Sequence, residues 1–111
     1  MANAILITPT GDVTEEQVNG LEDFQQHVGG YVEALSSDDG DHTIWLNEEG
    51  KLMGFPLNER ADALTHELVT DLVPGDRIVG PVVITGPLAQ DGETYQSPAP
   101  EMLARFELAL T

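Results

Sequence analysis

Residues 31–56 read YVEALSSDDGDHTIWLNEEGKLMGFP. Tyr31-Val32-Glu33-Ala34-Leu35 has the composition of a strand, and Ser37-Asp38-Asp39-Gly40-Asp41 is a polar loop. Thr43-Ile44-Trp45-Leu46-Asn47 is a second strand, with Ile44 and Leu46 on one face and Trp45 on the other. Glu48-Glu49-Gly50 then has the character of a short hairpin turn, with Gly50 free to take positive φ. Lys51-Leu52-Met53-Gly54-Phe55 is expected to return as the partner strand, ended by Pro56, which cannot donate to a ladder. Strands joined by turns this short pair antiparallel.

Toward the N-terminus, Ala4-Ile5-Leu6-Ile7-Thr8 is a buried strand closed by the turn Pro9-Thr10-Gly11-Asp12. Thr14-Glu15-Glu16-Gln17 fits a capping box that opens a helix. Val13–Val18 also fits the return strand of a hairpin, with Asn19 as the cap and Glu22 three residues later; this second reading is preferred. Leu21, Phe24 and Val28 then share one helix face, and Gly29-Gly30 stop the helix. Toward the C-terminus, Asn58 caps a helix whose stripe is Ala61, Leu64, Leu68 and Leu72. Pro74-Gly75-Asp76 is a turn, and Arg77–Gly86 is a strand interrupted at Gly80-Pro81. Ser97-Pro98-Ala99-Pro100-Glu101 opens a last helix with Leu103, Phe106 and Leu110 on one face.

The order β-β-α-β-β-β-α-β-α predicts an α+β fold: a mixed, mostly antiparallel sheet with about three helices packed mainly on one face. A length of 111 residues fits a single domain spanning 1–111, and folding should bury on the order of 65% of the unfolded chain's surface. The expected sheet core is Ile5, Ile7, Val32, Leu35, Ile44, Leu46, Leu52, Val82 and Ile84, covered by Leu21, Phe24, Leu64, Leu68 and Phe106. Exposure of Leu64 and Leu68 as one patch would mark a homodimer.

Charge restricts the function. There are 20 acids against 4 Lys and Arg, for a net charge of −16. Lys51, Arg60, Arg77 and Arg105 are all in the second half, so the first half carries acids alone. Phosphate backbones and anionic lipid need basic residues, so no direct nucleic-acid binding and no membrane docking is expected. A basic protein is the expected partner; solubility or high-salt adaptation is the competing account of the same charge. With no cysteine, disulfides, zinc thiolates and thiol nucleophiles are excluded. The N-terminus lacks a basic n-region, and no apolar run approaches the roughly 20 residues of a membrane span, so a soluble cytoplasmic protein is expected.

Val28-Gly29-Gly30-Tyr31-Val32-Glu33, then Trp45–Leu52, Gly54, Pro56, Asn58 and Ala61, and later Asp76–Gly86, resemble an uncharacterised domain-of-unknown-function family of small phage, plasmid and bacterial proteins. The resemblance covers about residues 4–86 and implies a mobile-element setting. It carries no activity and no catalytic residues. Taken alone, these glycines, prolines and asparagines read as turns and caps.

Candidate chemistry is sparse. Asp38-Asp39-Gly40-Asp41-His42 has oxygen ligands suited to a hard cation, yet it departs from the EF-hand order and is expected to be a solvated loop. His27, His42 and His66 lie in different elements; His66 is expected at the surface and His27 at a helix C-terminus. Ser36, Ser37 and Ser97 sit in no nucleophile elbow, and no phosphate-binding glycine loop is present. The expectation is a non-enzymatic protein with no cofactor and no resident metal. The remaining signal is the acidic set Glu15, Glu16, Glu22, Asp23, Asp38, Asp39, Asp41, Glu48 and Glu49. Gathered on one face, these carboxylates could copy a duplex and occupy a basic host protein, as anti-restriction and anti-CRISPR proteins do. The alternative is a general interaction module, or a small-ligand or metal-binding module.

Overall fold

The computed structural model describes residues 2–72 and 75–107. Pro74 and Leu110, assigned above to a turn and a helix face, lie outside the described residues. The elements are β1 (Ala2–Ile7), β2 (Val13–Val18), α1 (Leu21–Val28), β3 (Val32–Ser36), β4 (Thr43–Asn47), α2 (Glu59–Leu68), β5 (Val82–Thr85) and α3 (Pro100–Arg105). The fold is α+β, and its sheet runs β2-β1-β5-β4-β3 with every ladder antiparallel.

Two local hairpins, β1–β2 and β3–β4, form the flanks. The last strand in sequence, β5, fills the slot between them and pairs Ile84 with both Ile5 and Ile44. The alternation of strand side chains separates two cores. Ile5, Ile7, Ile44, Leu46, Val82 and Ile84 face α2 and α3, which contribute Ala61, Leu64, Met102 and Leu103. Ala2, Ala4, Val18, Trp45 and Val83 face α1, which contributes Phe24 and Val28. Two helices therefore cover one face and the third covers the other. Burial of each large aliphatic side chain contributes about 1.5–3 kcal/mol. Leu64 is buried and Leu68 half-buried, so the exposed leucine patch expected of a dimer does not form.

Asn58 ties these layers together. It caps α2 by accepting from the Ala61 N–H at 3.1 Å. Its amide donates to the carbonyls of Ile7 and Gly80, both at 2.9 Å. The side chain is fully buried with its amide bonded on both sides.

Five expectations are corrected. Lys51–Phe55 is not a strand but a run of turns, with Met53 N–H bonded to Glu49 O at 2.9 Å and Phe55 N–H to Gly50 O at 3.0 Å. The physical reason is occupancy: β4 has β3 on one edge and β5 on the other, so no edge is left for a return strand. Positive φ falls at Gly54 rather than Gly50. Leu52, placed in the core above, is accordingly 86% exposed. Leu21 is 57% exposed. Helical side chains lean toward the N-terminus, and as the first residue of α1 it overhangs the helix start. The cap of α1 is Gly20 without a side-chain bond; Asn19 instead donates its backbone N–H to Asp23 at 2.8 Å.

Candidate functional site

The nine acids are dispersed. Glu15 and Glu16 are neighbours on β2 and point to opposite faces of the sheet. One oxygen of Glu15 is buried and unpartnered among the described residues. Glu22 and Asp23 open α1, just past the end of β2. Asp38, Asp39 and Asp41 lie at the same end of the sheet, across roughly 15 to 19 Å of strands. Glu48 and Glu49 leave β4 at the opposite end, about 17 Å along the strand.

Several of these carboxylates hold the chain together. Asp38 accepts from the Thr70 hydroxyl at 2.6 Å, splicing the β3–β4 loop to the end of α2. Asp39 accepts from the Ser37 hydroxyl at 2.6 Å and the Asp41 N–H at 2.9 Å. These bonds hold its carboxyl below the usual range. No group of three or more metal-ligating side chains forms among the described residues, the Asp38–His42 loop included. His42 is buried and its Nε2 accepts from the Ala99 N–H at 3.2 Å. His66, expected at the surface, is half-buried, with Nε2 2.7 Å from the Asp76 carbonyl.

The bases are engaged by other groups. Lys51 pairs with Asp76, Arg77 with Asp62 at 3.1 Å, and Arg105 forks onto Glu67 at 2.6 and 2.7 Å. Arg60 donates to the Gly11 carbonyl at 3.1 Å and lies 5.1 Å from the Phe106 ring centroid. Among the described residues, none of these contacts involves the nine acids.

One region joins exposed apolar surface to part of this charge. Asn47, buried at the end of β4, donates to the Val28 carbonyl at 3.1 Å and accepts from the Glu49 N–H at 2.7 Å. Glu48 N–H is bonded to the Tyr31 carbonyl at 2.8 Å. The end of α1 and the turns after β4 are thus locked together. A Cβ on Gly30 would lie 3.0 Å from the Asn47 amide, and one on Gly80 would lie 2.5 Å from the Phe55 ring. Gly80 also has φ +75°, so both space and backbone call for glycine there. Above this node opens a shallow cavity of about 300 Å³ lined by Gly29, Gly30, Tyr31, Asn47, Glu49 and Met53. Tyr31 is 67% and Met53 55% exposed, with Leu52 next in the chain. Glu33, Glu48 and Glu49 line the adjoining concavity with Leu52 and with Lys51 and Arg77, whose ion pairs go to Asp76 and Asp62.

A protein-family model described as a domain of unknown function matches residues 1–110. The chain belongs to that family, DUF3846. A search of curated proteins and a search of solved structures returned no match. The family description names no reaction, so function rests on the geometry of this shelf.

The turns of residues 48–55, taken above for a hairpin, therefore supply the exposed part of the site. Tyr31 and Met53 escaped notice as site residues because each sat in a segment read as strand. The available signal was composition: in a chain with only six aromatic residues, a tyrosine directly after two glycines stands at a helix exit rather than in a core.

Proposed function

We propose that the protein acts without catalysis, by binding another protein through the shelf formed by Tyr31, Leu52 and Met53. The partner segment is amphipathic and cationic. Its apolar side chains cover the shelf and its Lys or Arg residues meet Glu33, Glu48 and Glu49. The observation that carries this reading is three large apolar side chains held in solvent by internally bonded backbone, beside Glu33, Glu48 and Glu49, while Lys51 and Arg77 of the same concavity are paired with Asp76 and Asp62. Tyr and Met are typical anchors of protein interfaces, and complementary charge speeds encounter. The dispersal of the nine acids over both faces and both ends favours a local contact over a duplex-like face. A mobile-element origin, which the sequence resemblance implies, would make the partner a host protein.

A photo-crosslinking residue at position 53 and, separately, at Ala104 on the outer face of α3 tests the reading. Crosslinks to a basic protein are expected from position 53 alone. Once purified, that protein should bind Tyr31→Ala about tenfold more weakly, and wild type more weakly as salt rises. Equal crosslinking from both positions, or binding indifferent to Tyr31, overturns it.

A further inference from the structure

The chain holds four asparagines, and only Asn19 is followed by glycine. Asn47 and Asn58 are buried with their side chains bonded to backbone, and the Asn3 side chain accepts from Gln17 on the neighbouring strand. Asn19 and Gly20 form the exposed link between β2 and α1. The Asn19 side chain has no hydrogen-bond partner among the described residues. Nor has the Gly20 N–H: the ladder with β1 ends at Val18, and the first turn of α1 bonds to the Gly20 carbonyl instead. A Cβ on Gly20 would meet nothing within 4 Å, so the space around the link is open.

Two other glycines follow a side chain of the same length, at Asp39-Gly40 and Asp91-Gly92, and there the fold occupies the same atoms. Gly40 N–H is donated to the Ser37 carbonyl at 2.9 Å, and Asp39 accepts from the Ser37 hydroxyl and the Asp41 N–H. Gly92 N–H is donated to the Ala89 carbonyl at 3.0 Å. Asp91 accepts from the N–H groups of Glu93 and Thr94, both at 2.9 Å, and from the Thr94 hydroxyl at 2.7 Å.

We propose that Asn19-Gly20 is a self-modifying site, at which the chain converts the Asn19 amide to a carboxylate with water as the only co-reactant. The Gly20 nitrogen attacks Asn19 Cγ. The new N–Cγ bond closes a cyclic imide, the Cγ–Nδ2 bond breaks, and ammonia leaves with the proton given up by the Gly20 nitrogen. Water then opens the imide at either carbonyl, and the ring nitrogen recovers a proton. Attack at Cγ leaves an ordinary aspartate. Attack at the Asn19 main-chain carbonyl leaves an isoaspartate, whose peptide link runs through the side chain. Glycine favours the closure because its backbone turns freely and it has no Cβ to crowd the ring. The new carboxylate stands just before Glu22 and Asp23, where the positive end of α1 favours it. The isoaspartate also lengthens the chain inside the span that the Asn19 N–H to Asp23 bond closes. The shelf lies at the other end of α1, so this inference stands apart from the docking proposal.

The full chain is incubated at neutral pH in heavy-oxygen water, folded and in guanidinium chloride, and peptide mapping by mass spectrometry locates the label. Imide closure and reopening takes up oxygen from water at Asn-Gly and Asp-Gly alike, so Asn19, Asp39 and Asp91 are read in one sample. Asp-Gly reacts more slowly by nature, so each position is compared with itself in the unfolded chain. Folding should change the rate at Asn19 by less than about threefold and slow Asp39 and Asp91 by at least about tenfold. Isoelectric focusing should show a more acidic band growing with the label at Asn19. Gly20→Ala should slow both at least about tenfold with an unchanged circular dichroism spectrum, and Asn19→Gln should remove the band. Slowing of Asn19 by folding as great as that of the two aspartates overturns the proposal. So does an acidic band that persists in Asn19→Gln, or a folded chain that takes up no label at Asn19.

Discussion

Replacing Asn58 by Asp changes one amide nitrogen to oxygen and nothing in shape, yet it should come close to unfolding the protein at neutral pH. The Asn58 amide donates to Ile7 O and Gly80 O at 2.9 Å, in a fully buried position. An ionised Asp keeps the bond from Ala61 N–H but turns a bare oxygen toward two carbonyls. Two hydrogen bonds worth about 1 kcal/mol each are lost, and two carbonyls left bare cost about 1–3 kcal/mol each. The total is about 4–8 kcal/mol before any charge burial, against a typical domain stability of about 5–15 kcal/mol. A protonated Asp can donate to one of the two carbonyls and recovers roughly half of this. The folded state therefore holds the proton more tightly, and the carboxyl introduced at position 58 is raised above its unfolded value of about 3.9. The deficit is full above the folded pKa and shrinks as pH falls through it, reaching the protonated level below about 3.9. Asn58→Ala loses the same two bonds and the Ala61 cap as well, so it should cost at least about 4 kcal/mol, but with no dependence on pH. Urea titrations of wild type and both variants at neutral and mildly acidic pH, followed by circular dichroism, measure the differences. An Asp variant within about 1 kcal/mol of wild type at neutral pH, or a deficit that ignores pH, would refute the bonding assigned to Asn58.

Three further outcomes are expected. Gly80→Ala should destabilise by about 2–4 kcal/mol, from positive φ plus the collision with Phe55, whereas Gly54→Ala, at φ +74° in open space, should cost only about 1–2 kcal/mol; urea midpoints rank them. The Asp91 carboxyl is lowered to about 2, first by the Thr94 and Glu93 N–H groups and then by the Thr94 hydroxyl. Its support of the 91–94 loop is thus complete above its ordinary value of 3.8 and is lost as pH falls through about 2, an order that amide exchange at Glu93 and Thr94 would show and Asp91→Asn would abolish. With a net charge of −16 and three of the bases paired with acids outside the set of nine, the melting temperature should rise as salt shortens the screening length to about 8–10 Å; a flat or falling trend would mean that self-repulsion is negligible.

What could be read in advance was what local pattern determines. The β1–β2 hairpin, the α1 stop at Gly29, the Asn58 cap and the opposite facing of Trp45 and Ile44 all follow from periodicity or turn chemistry within a few residues. What escaped was decided at a distance. Lys51–Phe55 has a strand's composition, but β5 arrives from thirty residues later to take the edge it would have needed. Leu21 keeps helical spacing with Phe24, but the direction of a first-turn side chain decides its exposure. The acids resembled a uniform surface charge. Asp38 and Asp23 prove to be bonding groups because Thr70 and Asn19 meet them in the folded chain. The contact of Tyr95 with Trp45 has the same origin, since the two residues stand far apart in the chain and meet only in the folded protein.

The central position of β5 has a consequence for synthesis. As the chain leaves the ribosome, both hairpins emerge with one edge each, β1 and β4, that awaits the same missing strand. Until residue 85 has cleared the exit tunnel the sheet consists of two halves with a gap, and either half can accept a strand from another nascent chain. The same gap makes the protein a candidate for splitting: a fragment ending near Leu72 and a second beginning near Gly75 would each be incomplete, and mixing them would restore the sheet by inserting β5 in trans.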